Sequence, residues 1–219
     1  MGEPKVPEIG PRLRAERARR DVSIRALARD IGVSPSLISQ IETGKSQPSV
    51  STLYAITSAL DLPLEDLFDA DEIAESVTPV AAVAGVPAVA AAAGAGLRYF
   101  GTDRTTGVGP HVTPDDRELL TLESGVTWQR LGQVPHHHVD FLLVTYQPGS
   151  ASSTDDRLMR HNGTEYAYLI SGELKLTLGF DQHVLAAGDS ICFESTTPHG
   201  YRNDGKISAV GVWFVVEPG

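Results

Sequence analysis

The chain has 219 residues, 41% of them apolar and 21% charged, with a formal net charge of −10. That length suits one or two domains of about 100–200 residues, and the composition excludes wholesale disorder. Cys192 is the only cysteine, which excludes an intrachain disulfide and a thiolate metal cage.

Residues 1–10 hold two acids, two prolines and no apolar run, so no secretory signal is expected and the cytoplasm is the expected compartment. The charge is uneven. Residues 1–45 carry nine Lys/Arg against six Asp/Glu, whereas residues 46–219 carry nine against twenty-two. Seven arginines (Arg12, Arg14, Arg17, Arg19, Arg20, Arg25 and Arg29) fall within eighteen residues. A basic patch at one end of an acidic chain is what phosphate attraction requires, although a solvated helix face has the same composition.

Between Gly10 and Phe68 the breaks and apolar spacings predict five helices. The first covers about 9–20. The second follows Ser23 as N-cap, with Ile24, Leu27, Ala28 and Ile31 on one stripe and Gly32 as its stop. The third is capped by Ser34, with Pro35 at its first position, and buries Leu37, Ile38 and Ile41 before Gly44. The fourth starts at Pro48-Ser49 with Leu53, Ile56 and Leu60 inward, and Leu64, Leu67 and Phe68 close the bundle as a fifth.

The helix–Gly-Val-Ser–helix spacing over 24–43 is a helix-turn-helix, and the run ALARDIGVSPSLISQIETG with Lys45 and Pro48 resembles the lambda-repressor-like, Xre-type DNA-binding family. The resemblance covers about 60 residues. It implies that the third helix enters the major groove while the second crosses the phosphate backbone. With its apolar stripe turned in, the third helix presents Ser36, Ser39, Gln40 and Thr43 outward. Gln40 donates and accepts together, as bidentate adenine reading demands. By similarity, Ser36 and Gln40 are candidates for base contacts and Ser23, Thr43 and Lys45 for phosphates, on a surface that also includes Ser34. Pro35 stands where relatives often place a base-reading polar residue, which leaves fewer direct contacts. The family also carries an arginine–glutamate pair between its first and third helices; Arg17 and Glu42 match it and are expected to be structural.

Residues 71–97 form an Ala/Gly/Pro-rich linker. Its uncharged stretch Val80–Leu97 is long enough for a membrane span, but Ala and Gly contribute little transfer free energy and Pro87 interrupts the middle. No membrane association is expected.

From Arg98 onward, short β-rich runs at 118–123, 126–131, 139–147, 165–170, 173–179, 182–186, 190–194 and 207–216 alternate with Gly, Pro and Asp turns. That spacing predicts an all-β sandwich or barrel. Two segments resemble the paired motifs of the cupin family: PGSASSTDDRLMRHNGTEYAYLISGEL, with His161, Glu165 and Gly172, and GDSICFESTTPHGYRN, with Gly188, Pro198, His199 and Asn203. The resemblance implies a double-stranded β-helix in which His161, Glu165 and His199 point into one barrel mouth. Where a full cupin metal site has a further histidine, this chain has Met159. A 2-His-1-carboxylate set remains, sufficient for Fe(II), Mn(II) or Zn(II) with open positions. A metal-free pocket for a small organic ligand is the equal alternative, and a hydrogen-bonded polar cluster the plain structural one.

His136-His137-His138 matches no cupin motif and reads as an edge strand or loop. Cys192, between Ile191 and Phe193, is expected as a buried small hydrophobe. Tyr166 and Tyr168, opposite in parity to Glu165, are expected outside the mouth.

The resulting architecture is two-domain: an all-α five-helix helix-turn-helix bundle over 1–70, the linker over 71–97, and an all-β cupin barrel over 98–219. The paired resemblance implies a transcriptional regulator that binds double-stranded operator DNA as a homodimer and senses a small-molecule effector or metal. The alternative is a non-haem metal-dependent epoxidase, because hydroxypropylphosphonate epoxidase also joins a helix-turn-helix-like domain to a cupin. The intact polar face and basic cluster of the first domain favour the regulator.

Overall fold

A computed structural model describes residues 9–67, 111–133, 139–155 and 157–216. The expected linker, Phe68 and the His136–His138 run lie outside the described residues. Four α-helices form the first half: α1 (Ile9–Arg19), α2 (Ile24–Asp30), α3 (Pro35–Glu42) and α4 (Val50–Ala59). The expected fifth helix is a single 3-10 turn, Leu64–Leu67, where two buried leucines close the bundle without a further α-helical turn.

Local chemistry sets these boundaries. The hydroxyls of Ser23, Ser34 and Ser49 accept from the N–H groups of Ala26, Leu37 and Thr52, three residues on in each case, which satisfies donors left over at each helix start. Gly32 and Gly44 end α2 and α3 in the left-handed region, at φ +72° and +68°. Gly10 has a different role: a Cβ there would lie 2.3 Å from the carbonyl oxygen of Ile41, so only glycine lets α1 cross α3 this closely.

Among the described residues the second half has nine strands: β1 (Leu119–Thr121), β2 (Val126–Gly132), β3 (Val139–Tyr146), β4 (Thr164–Ser171), β5 (Glu173–Leu178), β6 (Asp181–Ala186), β7 (Ser190–Glu194), β8 (His199–Arg202) and β9 (Ala209–Val216). All named strand pairs are antiparallel, in a six-stranded sheet ordered β1-β2-β3-β9-β4-β7 and a three-stranded sheet ordered β6-β5-β8. The last strand lies between β3 and β4, so the core forms only when the chain's end returns to its middle. Along β3, β4 and β9 alternate residues are buried; Leu142, Val144, Leu169, Trp213 and Val215 belong to the interior. The sequence runs anticipate every strand except β8, four residues directly after Pro198 and too short to show an alternation.

Cys192 corrects its expectation. It is exposed, because β7 is an edge strand on which Ile191 and Phe193 turn inward and the residue between them turns out. Among the described residues no helix is long and apolar enough to cross a membrane.

Arg17 and Glu42 tie α1 to α3 as expected. The guanidinium Nε donates to Glu42 Oε1 at 2.6 Å, one Nη to Oε2 at 3.0 Å, and the other to the Val22 carbonyl at 2.7 Å. Their side chains are 12% and 5% exposed, so this pair is largely withdrawn from water. Glu42→Ala, which leaves that guanidinium without its carboxylate, is expected to destabilise the helical domain by about 3–5 kcal/mol. Urea unfolding followed by circular dichroism measures it, and a loss below about 1 kcal/mol contradicts the structural role.

Candidate ligand pocket and nucleic-acid face

His161, Glu165 and His199 converge inside the barrel, with one ligating atom from each lying within 4.8 Å of the others. They come from three places. His161 sits in the loop before β4, its N–H bonded to the Ser195 carbonyl; Glu165 is on the inward parity of β4; His199 opens β8 in the opposite sheet. All three are buried.

The imidazole tautomers follow from their neighbours. His161 Nδ1 lies 3.0 Å from the Asn162 carbonyl and His199 Nδ1 lies 2.9 Å from the Thr197 carbonyl. A carbonyl only accepts, so each Nδ1 carries a proton, and in the neutral ring each Nε2 carries a lone pair. Those two Nε2 atoms face Glu165 Oε2 at 3.5 and 3.4 Å, and neither has a hydrogen-bond partner. Three electron-pair donors thus meet in one buried spot. Such an arrangement needs a cation or protons between them.

The carboxylate's other oxygen is held firmly. Glu165 Oε1 accepts from the Tyr201 hydroxyl and from Trp213 Nε1, the latter at 2.9 Å. With protons on the two Nε2 atoms, burial pushes the Glu165 carboxyl up, but hydrogen bonding and charge from His161 and His199 outweigh it and bring it down to about 2. The phenols of Tyr146 and Tyr201 are raised well above their ordinary value by burial and by the Glu165 charge, so Tyr201 remains a donor.

The pocket has little free space. A cavity of about 20 Å³, lined by Trp128, Met159, Tyr201 and Trp213 among others, lies beside Glu165 and has room for about one water. Its remaining wall comes from the helical domain: Val50 and Tyr54 of α4 line the same cavity. The Tyr54 ring stacks on His161 with centroids 4.0 Å apart and planes 8° from parallel, and leans on Trp128 at 5.8 Å. Backbone bonds secure this contact, from Ser51 N–H to the Ser152 carbonyl at 2.9 Å and from Glu123 N–H to the Pro48 carbonyl at 3.0 Å.

Sequence reasoning found the His–Glu–His set, placed Tyr201 close to it along the chain, and missed Tyr54 and Trp213 as its neighbours. For Tyr54 a signal existed. Helix α4 buries Val50 and Tyr54 on one side as well as Leu53 and Ile56, and a helix apolar on more than one side needs a second partner. Met159, in place of a further ligand, is buried against the site and pairs its backbone with that of His199. Asn203 is a brace: its Nδ2 donates to the Tyr146 and Ile207 carbonyls at 2.8 and 2.9 Å. Tyr166 and Tyr168 point out of the barrel, as their parity requires.

On the helical domain, Ser23, Ser34, Pro35, Ser36, Ser39, Gln40, Thr43 and Lys45 are all exposed. The barrel contacts α4, the Leu64–Leu67 turn and, through Arg157, the Gly32 carbonyl, and leaves these eight residues exposed. The Ser23 and Ser34 hydroxyls serve as caps, and the Thr43 hydroxyl donates back to the Ser39 carbonyl at 2.8 Å.

Residues 13–67 match the helix-turn-helix family model and residues 142–215 match the cupin domain model. Over 196 residues the chain is 26% identical to the HTH-type transcriptional regulator PuuR of Escherichia coli, covering 89% of this chain and 86% of that protein. Over 64 residues it is 42% identical to the HTH-type transcriptional regulator SlrR of Bacillus subtilis, covering 29% of this chain and 42% of that one. The crystal structure of an HTH_3 family transcriptional regulator from Vibrio cholerae is similar with a TM-score of 0.61 at 21% identity, covering 97% of each chain. The likeness of fold therefore extends over both halves.

Proposed function

We propose that this chain, an Xre-type helix-turn-helix domain followed by a cupin domain, is a cytoplasmic DNA-binding transcriptional regulator whose barrel pocket senses a metal ion, a small organic molecule or both. The observation that carries the reading is the outward surface of α3, polar and exposed while the barrel occupies α4. Residues 1–70 are then the DNA-binding head, 71–97 the linker and 98–219 the sensor. Helix α3 lies in the major groove, where Gln40 reads an adenine edge and Ser36 and Ser39 add contacts. Ser23, Ser34, Thr43 and Lys45 position the head on phosphates, with Pro35 contributing shape alone.

The pocket donors fit a divalent metal. His161 and His199 offer Nε2, Glu165 offers Oε2, and the two backbone carbonyls with Tyr201 and Trp213 orient all three. When bound, Fe(II), Mn(II) or Zn(II) supplies a Lewis-acidic centre with open positions for an effector's oxygen or nitrogen. The same donors would serve a metal-dependent oxygenase; the intact, exposed α3 surface favours a sensor.

The outer face of the large sheet supports a homodimer. Tyr166, Tyr168 and Ile170 of β4 and Phe214 and Val216 of β9 are exposed side by side, and Phe214 stacks on Phe141 of β3 at 4.4 Å. The outward positions of these three strands carry no charge, which suits a two-fold contact with a second copy.

Three outcomes are expected. In salt titrations with operator variants, Gln40→Ala relaxes preference at one base position by about 1–3 kcal/mol, while Lys45→Ala weakens all sequences alike; an unchanged ranking with Gln40→Ala removes the base-reading role. Elemental analysis of purified protein shows metal that the His161→Ala, His199→Ala double variant lacks, and Tyr201→Phe lowers metal affinity about 10–100-fold; equal metal in wild type and double variant removes the metal. Sedimentation gives a dimer that Phe214→Glu converts to monomer, and a dimer unaffected by Phe214→Glu places the contact elsewhere.

A further inference from the structure

The helical domain supplies a wall of the cupin pocket. Tyr54 is 4% exposed, lies flat on the His161 ring, and belongs to the helix whose bundle carries the exposed α3 surface. The free space beside Glu165, about 20 Å³, holds about one water and no organic molecule. A metal ion seated between the three donors needs no more room than that. An effector with a ring needs the slot that the Tyr54 phenol fills.

We infer that Tyr54 is the lid of the cupin pocket, and that a small molecule with a flat ring and a Lewis-basic end takes its place against His161, releasing α4 from the barrel. This rests on the sensing reading above and adds the route by which occupancy reaches the DNA-binding head. The chemistry of the slot defines the occupant. With the tyrosine withdrawn, Trp128, Leu142, Val144 and Val215 remain as apolar walls, and the His161–Glu165–His199 donors mark one polar end. The contact being broken includes the stack, the lean on Trp128, the Ser51–Ser152 and Glu123–Pro48 backbone bonds, a bond from Arg157 to the Gly32 carbonyl, and the packing of β3 on the Leu64–Leu67 turn. A ligand ring restores the stack and the apolar contact on the barrel side, so the effector replaces what α4 withdraws.

The test uses the full chain after chelator treatment, as wild type, Tyr54→Phe and Tyr54→Ala. Diethyl pyrocarbonate modifies accessible imidazoles, and peptide mass mapping reports each histidine separately. In wild type and Tyr54→Phe, His161 and His199 are expected to react at least tenfold more slowly than exposed His183 (order-of-magnitude protection from burial). In Tyr54→Ala the His161 rate should rise about tenfold with His183 unchanged, and amide exchange should rise at Ser51 and Glu123 while β3 and β9 stay protected. Protected β3 and β9 amides show that the variant is folded. Equal His161 reactivity in all three proteins overturns the lid. A second arm adds Zn(II) to wild type, then imidazole as a planar, Lewis-basic probe. Zn(II) alone should leave Ser51 exchange low, and imidazole should raise it. If Tyr54→Ala opens the pocket but imidazole changes nothing in wild type, ligand displacement of Tyr54 falls and Tyr54 stands as a wall, while the sensing reading is decided by the metal content of the His161→Ala, His199→Ala double variant.

Discussion

A carboxylate and two imidazole nitrogens buried face to face set the terms for the cupin half. Each would be solvated if it could be, and none is: Glu165 and both histidines are withdrawn from water. The fold answers with donors placed where donors help. Two backbone carbonyls hold the Nδ1 protons, while Tyr201 and Trp213 saturate the outer carboxylate oxygen. The two Nε2 atoms and the inner carboxylate oxygen then converge on one point. Stability and function are joined there, because whatever cation or proton fills that point also cancels the repulsion that strand pairing imposes.

The strand order explains why these residues can be held so closely. Glu165 pairs with Val215 across β4 and β9, Trp213 lies two residues back on the same inward parity, and His199 approaches from β8 in the other sheet. Slipping β4 by one residue would put Glu165 outside and Tyr166 within. Register is therefore set by the same alternation that builds the core, and the pocket needs no special backbone of its own. The exposed face of the large sheet is the other side of that alternation.

Much of this was legible in the chain. Serine caps, stopping glycines and the apolar stripes of α2 and α3 are local signals, and the helices begin and end where those signals stand. The motif residues His161, Glu165 and His199 were visible because each motif brings its own strand and turn. The misreadings have physical causes. Four residues behind a proline do not display a strand's period, so β8 was absent. Cys192 was assigned to the interior although Ile191 and Phe193 already occupied the inward parity of a strand at the sheet's edge. Tyr54 was hidden for another reason: its partner, His161, lies more than a hundred residues away in another domain, and no local pattern in α4 names that partner. The surplus of apolar residues on α4 showed only that some second surface had to exist.

How a pocket occupant could influence DNA binding then becomes a question of differential affinity. A ligand shifts an equilibrium only by the difference in its affinity for the two states. A metal ion coordinated by the three buried donors is compatible with α4 seated on the barrel, so by itself it gives little bias toward release. Its effect is to provide a fixed coordination point for a second ligand. A ring that must displace Tyr54 binds only the released state, and its whole binding free energy becomes bias. Moving a population from about 1:99 to 99:1 takes about 5.5 kcal/mol of such difference. A stacked aromatic pair contributes about 0.5–1.5 kcal/mol beyond its buried area, and the Tyr54–His161 stack is one of several contacts that hold the seated state. The linkage is reciprocal: an operator that favours released heads must tighten effector binding, and one that favours seated heads must weaken it by the same factor.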